Sequence, residues 1–321
     1  MRRYVLARFL QLVPILAFVT FLTFGMMQFA ADDAVDVLYE QTGGVSEEVK
    51  AEKRHELGLD QPFLVQYGHW LGGVLTGDMG RSYISGKLVF DTFAERFPAT
   101  VELMLVSIAL TLLVALPLGI FAAVRQNTVM DAIIRFLSFI GNSLPNFFVA
   151  LLLIYIFALK LGWLPVMSSG SGPSSIVLPS VTLAIAMGAK YTRQIRAVVL
   201  EELRKPYVDG ARARGVPERR ILWHDVLKSS LVTIITLLAL SIGSLLGGTV
   251  IVETIFLWDG VGKMAVDAIL MRDYPLIQSY VVWMSIVYVV MNLAADLLCH
   301  AIDPRVRYQE ERGGTGKGDV R

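Results

Sequence analysis

The sequence predicts an all-α integral membrane protein, and three observations support this. Of its 321 residues, 55% are hydrophobic and 18% are charged, whereas soluble domains carry about 25% charged residues. The apolar residues form blocks of roughly 20 or more, the length an α-helix needs to cross about 30 Å of hydrocarbon. Lysine and arginine are concentrated between two of these blocks. We expect the blocks to be helices, because backbone groups in lipid must be hydrogen-bonded within their own segment.

Six apolar blocks are long enough to be membrane spans. They cover residues 9–29, 100–124, 133–160, 176–198, 231–256 and 277–302. The first block follows the basic residues Arg2, Arg3 and Arg8, as the apolar part of a signal peptide would. Its apolar run is longer than the roughly 7–15 residues of a signal peptide, however, and no A-x-A cleavage site follows it. We therefore predict that it remains in the protein as the first of six spans.

The distribution of Lys and Arg predicts the orientation of the spans. Residues 190–228 contain ten Lys or Arg and five Asp or Glu, whereas residues 30–98 contain six and twelve. Loops rich in Lys and Arg stay on the cytoplasmic side, so the first stretch is expected to be cytoplasmic and the second extracytoplasmic. An even number of spans then places the N-terminus and the C-terminus in the cytoplasm.

The spans divide the chain into four parts. These are an N-terminal transmembrane helix (1–29), an extracytoplasmic insertion (30–98), a transmembrane core (99–307) with a cytoplasmic loop at 199–230, and a disordered cytoplasmic tail (308–321). The insertion is predicted to be a small folded cap, because Ser46 followed by Glu47 and Glu48 is typical of a helix start. One bundle of this size needs a second bundle to enclose a path, so we expect a partner chain to supply it.

The cytoplasmic loop is predicted to contain two short helices with a break. Residues 205–220 read KPYVDGARARGVPERR. Gly215 suits the position just after a helix end, and Pro217 suits the first turn of the next helix. A short basic helix held between two spans is well placed to push on a soluble partner. Alternatively, the loop is a solvated segment whose charges only fix the topology.

Four residues within the spans are candidates for the translocation path or for gating. Pro145 lies in the third span beside Asn142 and Asn146, where it acts either as a hinge or as a static kink. Glu253 lies near the outer end of the fifth span. An unpaired carboxylate there costs several kcal/mol, so Glu253 either faces water in the path or pairs within the protein.

The sequence offers no catalytic or metal-binding motif. Its single cysteine, Cys299, leaves no Cys-rich metal motif, and no pair of histidines has the spacing of metal ligands on one helix face. There is no G-x-x-x-x-G-K-[ST] phosphate loop and no H-E-x-x-H zinc motif. The chain is expected to be a transport protein and not an enzyme, with the bilayer as its surroundings and no nucleic-acid partner. A stand-alone channel or a secondary carrier has the same hydropathy and remains an alternative.

The cytoplasmic loop resembles the coupling segment of permease subunits of ATP-binding-cassette (ABC) importers, whose signature is Glu-Ala-Ala, three residues and Gly. Here Asp209, Gly210 and Ala211 are followed by three residues and Gly215. Residues 225–228 depart from the distal part of that signature. From Met1 to about Arg307 the chain is similar to the peptide/nickel branch of the family. The segments that carry this similarity are 57–62, 77–82, 98–103, 143–148, 260–262, 272–278 and 303–305.

The resemblance implies a six-helix permease in the bacterial cytoplasmic (inner) membrane, forming half of a translocation path. Its partners would be a homologous second permease, two ATP-binding subunits and an extracytoplasmic substrate-binding protein. Asp209, Gly210, Ala211 and Gly215 would belong to the coupling helix that docks on the ATPase. The chain would bind no cofactor, and its partner ATPase would use ATP and Mg²⁺. Overall similarity in residues 249–262 and 272–278 favours nickel or a nickel chelate as the substrate, with di- or oligopeptides as the alternative.

Overall fold

The computed structural model describes residues 2–28, 34–40, 44–167 and 172–302, and these are almost entirely helical. Its helices are α1 (Arg2–Gln28), α2 (Ala34–Glu40), α3 (Glu47–Glu56), α4 (Phe63–Thr76), α5 (Val89–Val124), α6 (Val129–Ser143), α7 (Asn146–Leu153), α8 (Val177–Leu203), α9 (Pro206–Ala213), α10 (Glu218–Arg220), α11 (Leu227–Phe256), α12 (Val261–Leu270) and α13 (Tyr274–Ile302). The helices α7 and α10 continue as π-helices over Ile154–Lys160 and Ile221–Val226. No strand forms among the described residues, so the predicted all-α class is confirmed. The predicted tail lies outside the described residues.

Several helices are long and apolar enough to cross a membrane. Three are continuous stretches: Val89–Val124, Glu218–Leu238 and Tyr274–Ala294. Two more are sharply bent pairs, Val129–Ser143 with Asn146–Lys160 and Leu245–Phe256 with Val261–Leu270. The apolar part of α1, Val13–Met26, is shorter. The helix α8 covers the predicted fourth block, but its apolar half gives way to polar and charged residues from Lys190 onward. By length and composition, the described residues therefore hold up to five candidate spans, against six predicted.

The predicted third block is broken and not merely kinked. The helix α6 ends at Ser143, Leu144 is extended, and α7 begins at Asn146 after a bend of 101°. Pro145 caps α7 with φ −63° and ψ 142°. Because Pro has no backbone N–H and disfavours a helical conformation in the residue before it, the i to i−4 ladder cannot continue through this position. The structure thus shows a complete break where the sequence suggests a hinge or kink.

The chain divides into two compact units. The first unit comprises Met1–Glu102, Met167–Ser169 and Thr249–Val289, and the second unit comprises Leu103–Val166, Gly170–Gly248 and Val290–Arg321. Each unit has its own packed side chains. In the first unit, α1 and α4 meet through an aromatic cluster that contains Phe21, Phe24, Phe63, Tyr67 and Trp70. The hydroxyl groups of Thr20 and Tyr67 also share a hydrogen bond of 3.0 Å.

In the second unit, helices approach closely at small residues. A Cβ placed on Gly119 of α5 would lie 2.8 Å from the Cβ of Ile195 in α8. A Cβ on Gly141 of α6 would lie 3.0 Å from the Cβ of Ala189, also in α8. Small residues at such contacts let helix backbones approach within a membrane. The helix α8 is thereby held against both α5 and α6, and its next residues enter the cytoplasmic loop.

We predict that Gly119→Ala destabilises the protein and that Gly188→Ala, a matched change in α8, does not. The Cβ at Gly119 would also lie 3.0 Å from the carbonyl oxygen of Thr192, and such overpacking costs about 1–3 kcal/mol. At Gly188, no described atom lies within 4 Å of the new Cβ, and helix propensity favours Ala by up to about 1 kcal/mol. Thermal unfolding of the detergent-purified protein checks this. Equal midpoints for the two variants would contradict the close packing of α5 on α8.

Candidate coupling loop and translocation residues

The predicted coupling residues lie together in the loop between α8 and α11. After α8, Lys205 is extended, with φ −75° and ψ 145°, and Pro206 occupies the first turn of α9. This is the expected arrangement, because a residue before Pro disfavours the helical conformation and Pro is well suited to a helix start. Asp209, in the first turn of α9, interacts favourably with the positive end of the helix dipole. The local sequence therefore starts a new short helix at this position.

Gly215 ends α9 in the geometry that the sequence predicts. Its φ is +74°, a value that favours glycine. The N–H of Gly215 donates to the carbonyl of Arg212 at 2.9 Å, and the N–H of Val216 donates to the carbonyl of Ala211 at 3.1 Å. These two bonds form a Schellman motif with Gly215 at the position after the helix cap. Pro217 caps α10 and lies one position before the predicted first turn.

The two faces of α9 differ in burial. Val208 and Ala211 are buried in a core that also contains Ile221 and Leu227. Asp209, by contrast, has a side chain that is 72% exposed. Since each fully buried aliphatic side chain contributes about 1.5–3 kcal/mol, the inner face fixes α9 on the second unit. The outer face remains open to a partner.

Ion pairs connect the outer face across the turn. The Nε of Arg212 donates to Glu218 at 2.7 Å, and its Nη1 donates to Asp209 at 3.3 Å. The side chains of Asp209 and Glu218 are largely exposed. Exposed ion pairs contribute less than about 1 kcal/mol each to stability. The buried face and the Schellman bonds therefore set the shape of the turn, while the ion pairs order its charged surface.

A cluster of side-chain hydrogen bonds that the sequence did not reveal joins α8 to α9. Glu202, which is buried at the end of α8, accepts hydrogen bonds from Lys205 Nζ at 2.5 Å and from the Tyr207 hydroxyl at 2.9 Å. Burial and the neighbouring Glu202 carboxylate raise the pKa of Tyr207 to about 12, so its hydroxyl stays protonated and donates. His224 and Lys228 lie around the same cavity of about 430 Å³. The sequence did indicate part of this cluster, because Glu202 and Lys205 are three residues apart, a spacing at which opposite charges on a helix can pair.

A second missed interaction is a buried ion pair within the second unit. Arg196 donates from Nε and Nη2 to the two oxygens of Asp131 at 2.6 Å and 2.8 Å. Asp131 is 0% exposed and also accepts the Asn127 N–H at 3.0 Å. Removing one partner of a buried pair costs about 3–5 kcal/mol. The pair thus fixes the start of α6 to α8, the helix that leads into the coupling loop.

Three of the four candidate translocation residues lie at the break between α6 and α7. Asn142 and Pro145 are exposed, and Asn146 is half-buried. A Cβ on Gly248 would lie 3.7 Å from the side-chain nitrogen of Asn146, so this part of α11 approaches the start of α7 closely. Broken helices with polar ends are typical of the binding regions of transporters. That these residues line or gate a path remains a prediction.

Glu253, the fourth candidate, is enclosed within the first unit. Its side chain is 0% exposed. Thr100 donates to its Oε1 at 2.8 Å, and the N–H of Lys263 donates to its Oε2 at 3.0 Å. The N–H of Gly262 is a further donor to the carboxylate. Glu253 therefore pairs within the protein, one of the two roles that the sequence allows, and its lining of a path remains a prediction.

These contacts cap the start of α12, which follows a 71° bend. The hydroxyl of Thr100 accepts the N–H of Val261 at 2.9 Å. Together, Thr100 and Glu253 satisfy the first three N–H groups of α12, which have no partner within the helix. A Cβ on Gly260 would lie 2.5 Å from the carboxylate, and one on Gly262 would lie 2.8 Å from it. The Gly-Val-Gly segment at 260–262 is therefore required for the close approach of Glu253.

Comparison with known proteins shows that two parts of the chain match known protein families. Residues 115–308 match the binding-protein-dependent transport system inner membrane component. Residues 1–104 match the N-terminal part of the corresponding membrane component. The two matches together cover most of the chain, including the insertion, the coupling loop and both helix breaks.

Individual relatives and a solved structure agree with these matches. The chain is 36% identical over 318 residues to the oligopeptide transport system permease protein AppB of Bacillus subtilis, covering 96% of this chain and all of AppB. It is 35% identical over 311 residues to the glutathione transport system permease protein GsiC of Escherichia coli K12, with the same coverage. The MetNI methionine ABC transporter, in an inward-facing conformation, shares the fold with a TM-score of 0.56 at 16% identity, over 67% of this chain and 97% of that chain.

We predict that Glu253→Gln lowers the stability of the protein by about 1–3 kcal/mol. A carboxamide has one acceptor oxygen in place of two and brings an N–H₂ group to a site surrounded by donors. Asp259→Asn is the matched control, because Asp259 is exposed and forms an ion pair with Arg96 at 2.9 Å; it should change stability by less than about 1 kcal/mol. Thermal unfolding in detergent distinguishes the two. Wild-type stability of Glu253→Gln together with slow uptake would instead favour a path-lining role.

Proposed function

We propose a function on the premise that this chain belongs to the family of binding-protein-dependent transport system inner membrane components. It is the permease subunit of an ABC importer, embedded in the membrane through its apolar helices. Permeases of this family are transport components that work with an ATPase and a substrate-binding protein.

We infer that the imported substrates are short peptides. The relatives named above carry oligopeptides or glutathione, itself a small peptide, according to their names. Both are matched along their whole length. The preference for nickel that the sequence suggested has no counterpart among these relatives, so the peptide alternative takes its place.

The complex we propose has this chain and a homologous second permease as the two halves of the path. Two ATP-binding subunits would lie on the cytoplasmic side, using ATP and Mg²⁺ that this chain does not bind. A substrate-binding protein would deliver the peptide from outside. The excess of Lys and Arg in residues 190–228 supports a cytoplasmic location for the coupling loop and for both termini.

The observation that carries the proposal is the two-faced α9 with its fixed turn at Gly215. A docking segment must be rigid to transmit movement, and α9 is fixed by the buried Val208 and Ala211. It must also present an accessible surface, which Asp209, Arg212 and the half-exposed ring of Tyr207 provide. Closure of the ATPase subunits around this surface would shift α9 and, through the shared core, the start of α11. Alternating access would follow as rigid-body rocking.

Reconstituted transport tests the proposed function. Proteoliposomes that contain this chain, the second permease, the ATP-binding subunits and the binding protein should accumulate labelled tri-alanine when ATP is supplied on the cytoplasmic side. A chelator selective for nickel, added with Mg²⁺ kept in excess for the ATPase, should not reduce this uptake, because the peptide crosses without a nickel ion. Uptake of ⁶³Ni²⁺ is measured in parallel on the same vesicles. Accumulation of nickel without any accumulation of peptide would contradict the proposal and restore the nickel alternative.

A further inference from the structure

A cavity of about 290 Å³ lies within the first unit, away from the coupling loop. Three chain segments contribute most of its lining: residues 57–61 before α4, residues 78–83 before α5, and residues 274–278 at the start of α13. The same segments are among those by which the sequence resembles the peptide/nickel branch of importer permeases. These segments belong neither to the coupling loop nor to the helix breaks, so the roles discussed for those regions do not explain the cavity.

The walls of the cavity are fixed before any ligand arrives. Asp273, which is 3% exposed, accepts hydrogen bonds from the Ser82 hydroxyl at 2.5 Å and from the Tyr83 N–H at 3.1 Å. The indole N–H of Trp283 donates to the sulfur of Met79 at 3.0 Å. These contacts fasten residues 79–83 to the start of α13. Binding to a site built in this way needs little ordering of the protein, which favours affinity.

The opposite wall is fixed in a similar way. The side-chain nitrogen of Gln66, in α4, donates to the carbonyl oxygens of Leu59 at 3.1 Å and Gln61 at 2.7 Å. The turn that precedes α4 is therefore held against α4 itself. Trp70, on the same helix, lies in the aromatic cluster with Phe24 and Tyr67. Both walls thus consist of loops that are tied to a helix.

The lining combines aromatic surface with charges of both signs. Phe24, Trp70 and Tyr274 contribute aromatic side chains. Asp78 is oriented by accepting the N–H of Gly80 at 2.8 Å, and Arg81 is oriented by donating to the carbonyl of Gly86 at 3.1 Å. A guanidinium has five donors, so one bond to a carbonyl leaves others for a carboxylate ligand. The cavity therefore offers the Asp78 carboxylate to a cation and the Arg81 guanidinium to an anion. Its aromatic side chains offer an apolar surface.

This combination matches a short peptide with free ends. Such a peptide has an ammonium group, a carboxylate and side chains that pack on aromatic rings. The volume of about 290 Å³ lies just below the roughly 300–1,000 Å³ typical of ligand pockets, which limits the cavity to a small ligand. A larger oligopeptide would extend out of the cavity, whereas a dipeptide or tripeptide would fit largely within it.

We propose that this cavity is a transit site that binds a short zwitterionic peptide on the predicted extracytoplasmic side of the permease. Asp78 binds the ammonium group, Arg81 binds the carboxylate, and the aromatic walls receive the side chains. The inference rests on the proposed import of peptides. It adds that the permease itself, and not only the binding protein, recognises the peptide before it enters the membrane.

The test measures equilibrium binding of labelled tri-alanine to the permease complex in lipid nanodiscs without the binding protein. We expect saturable binding to the wild type and about tenfold weaker binding to Asp78→Asn, since hydrogen bonds between two charged groups are stronger than those to a neutral amide. Asn retains an oxygen for the Gly80 N–H, so the turn is preserved. Asp91→Asn, an exposed residue in the first turn of α5 outside the cavity lining, is the matched control and should bind as the wild type does.

Arg81→Gln is the second variant and should weaken binding by a similar factor, because its neutral amide lacks the positive charge that binds the carboxylate. N-acetylated tri-alanine amide, which lacks both end charges, should compete poorly.

Equal binding to the wild type and both variants would overturn the proposal, as would binding that appears only after the binding protein is added. If vesicles with all subunits accumulate tri-alanine while the permease complex alone binds none, the transit site is refuted and peptide import stands. Absence of peptide accumulation refutes the proposed function itself.

Discussion

The break between α11 and α12 depends on one buried carboxylate. A helix that ends and restarts in an apolar setting leaves N–H groups without partners, and each such group costs several kcal/mol in lipid. Glu253, assisted by Thr100, accepts those N–H groups at the start of α12. Gly260 and Gly262 leave the space that the carboxylate needs. The sharp bend is therefore a consequence of side-chain chemistry, and it would not be stable with an apolar residue at position 253.

Backbone N–H groups also need partners at the break after α6 and at the turn after α9, but each place meets this need in a different way. At the break after α6, Pro145 removes a donor, so one fewer N–H group needs a partner. At the turn after α9, the backbone satisfies itself through the two bonds of the Schellman motif at Gly215. The turn at Gly215 therefore needs no buried charge, and α9 can present its polar face outward. The buried ion pair between Asp131 and Arg196 instead fixes the helix from which this loop emerges.

Sequence patterns predicted the features that depend on neighbouring residues. The all-α class, the break at Gly215 and the helix start after Ser46 all follow from local composition and turn chemistry. Contacts between distant residues were beyond such patterns: Thr100 meets Glu253 across 153 positions, and Asp131 meets Arg196 across 65. The sequence also identified Pro145 as a point of distortion without distinguishing a kink from a full break. That distinction depends on whether neighbouring helices satisfy the freed backbone groups, which is a tertiary property.

We propose that the turn at Gly215 passes the movement of the ATPase to the permease. Apart from its two neighbours in the chain, no described atom lies within 4 Å of a Cβ at Gly215, so a substitution there causes no clash of that Cβ within the described residues. The most direct measurement compares peptide uptake by Gly215→Asp and Gly215→Asn, since Asn tolerates the positive φ and has the same size without the charge. We predict that Gly215→Asp inserts and assembles but transports nothing, while Gly215→Asn retains transport. Normal uptake by Gly215→Asp, with the ATPase bound and stimulated, would contradict it.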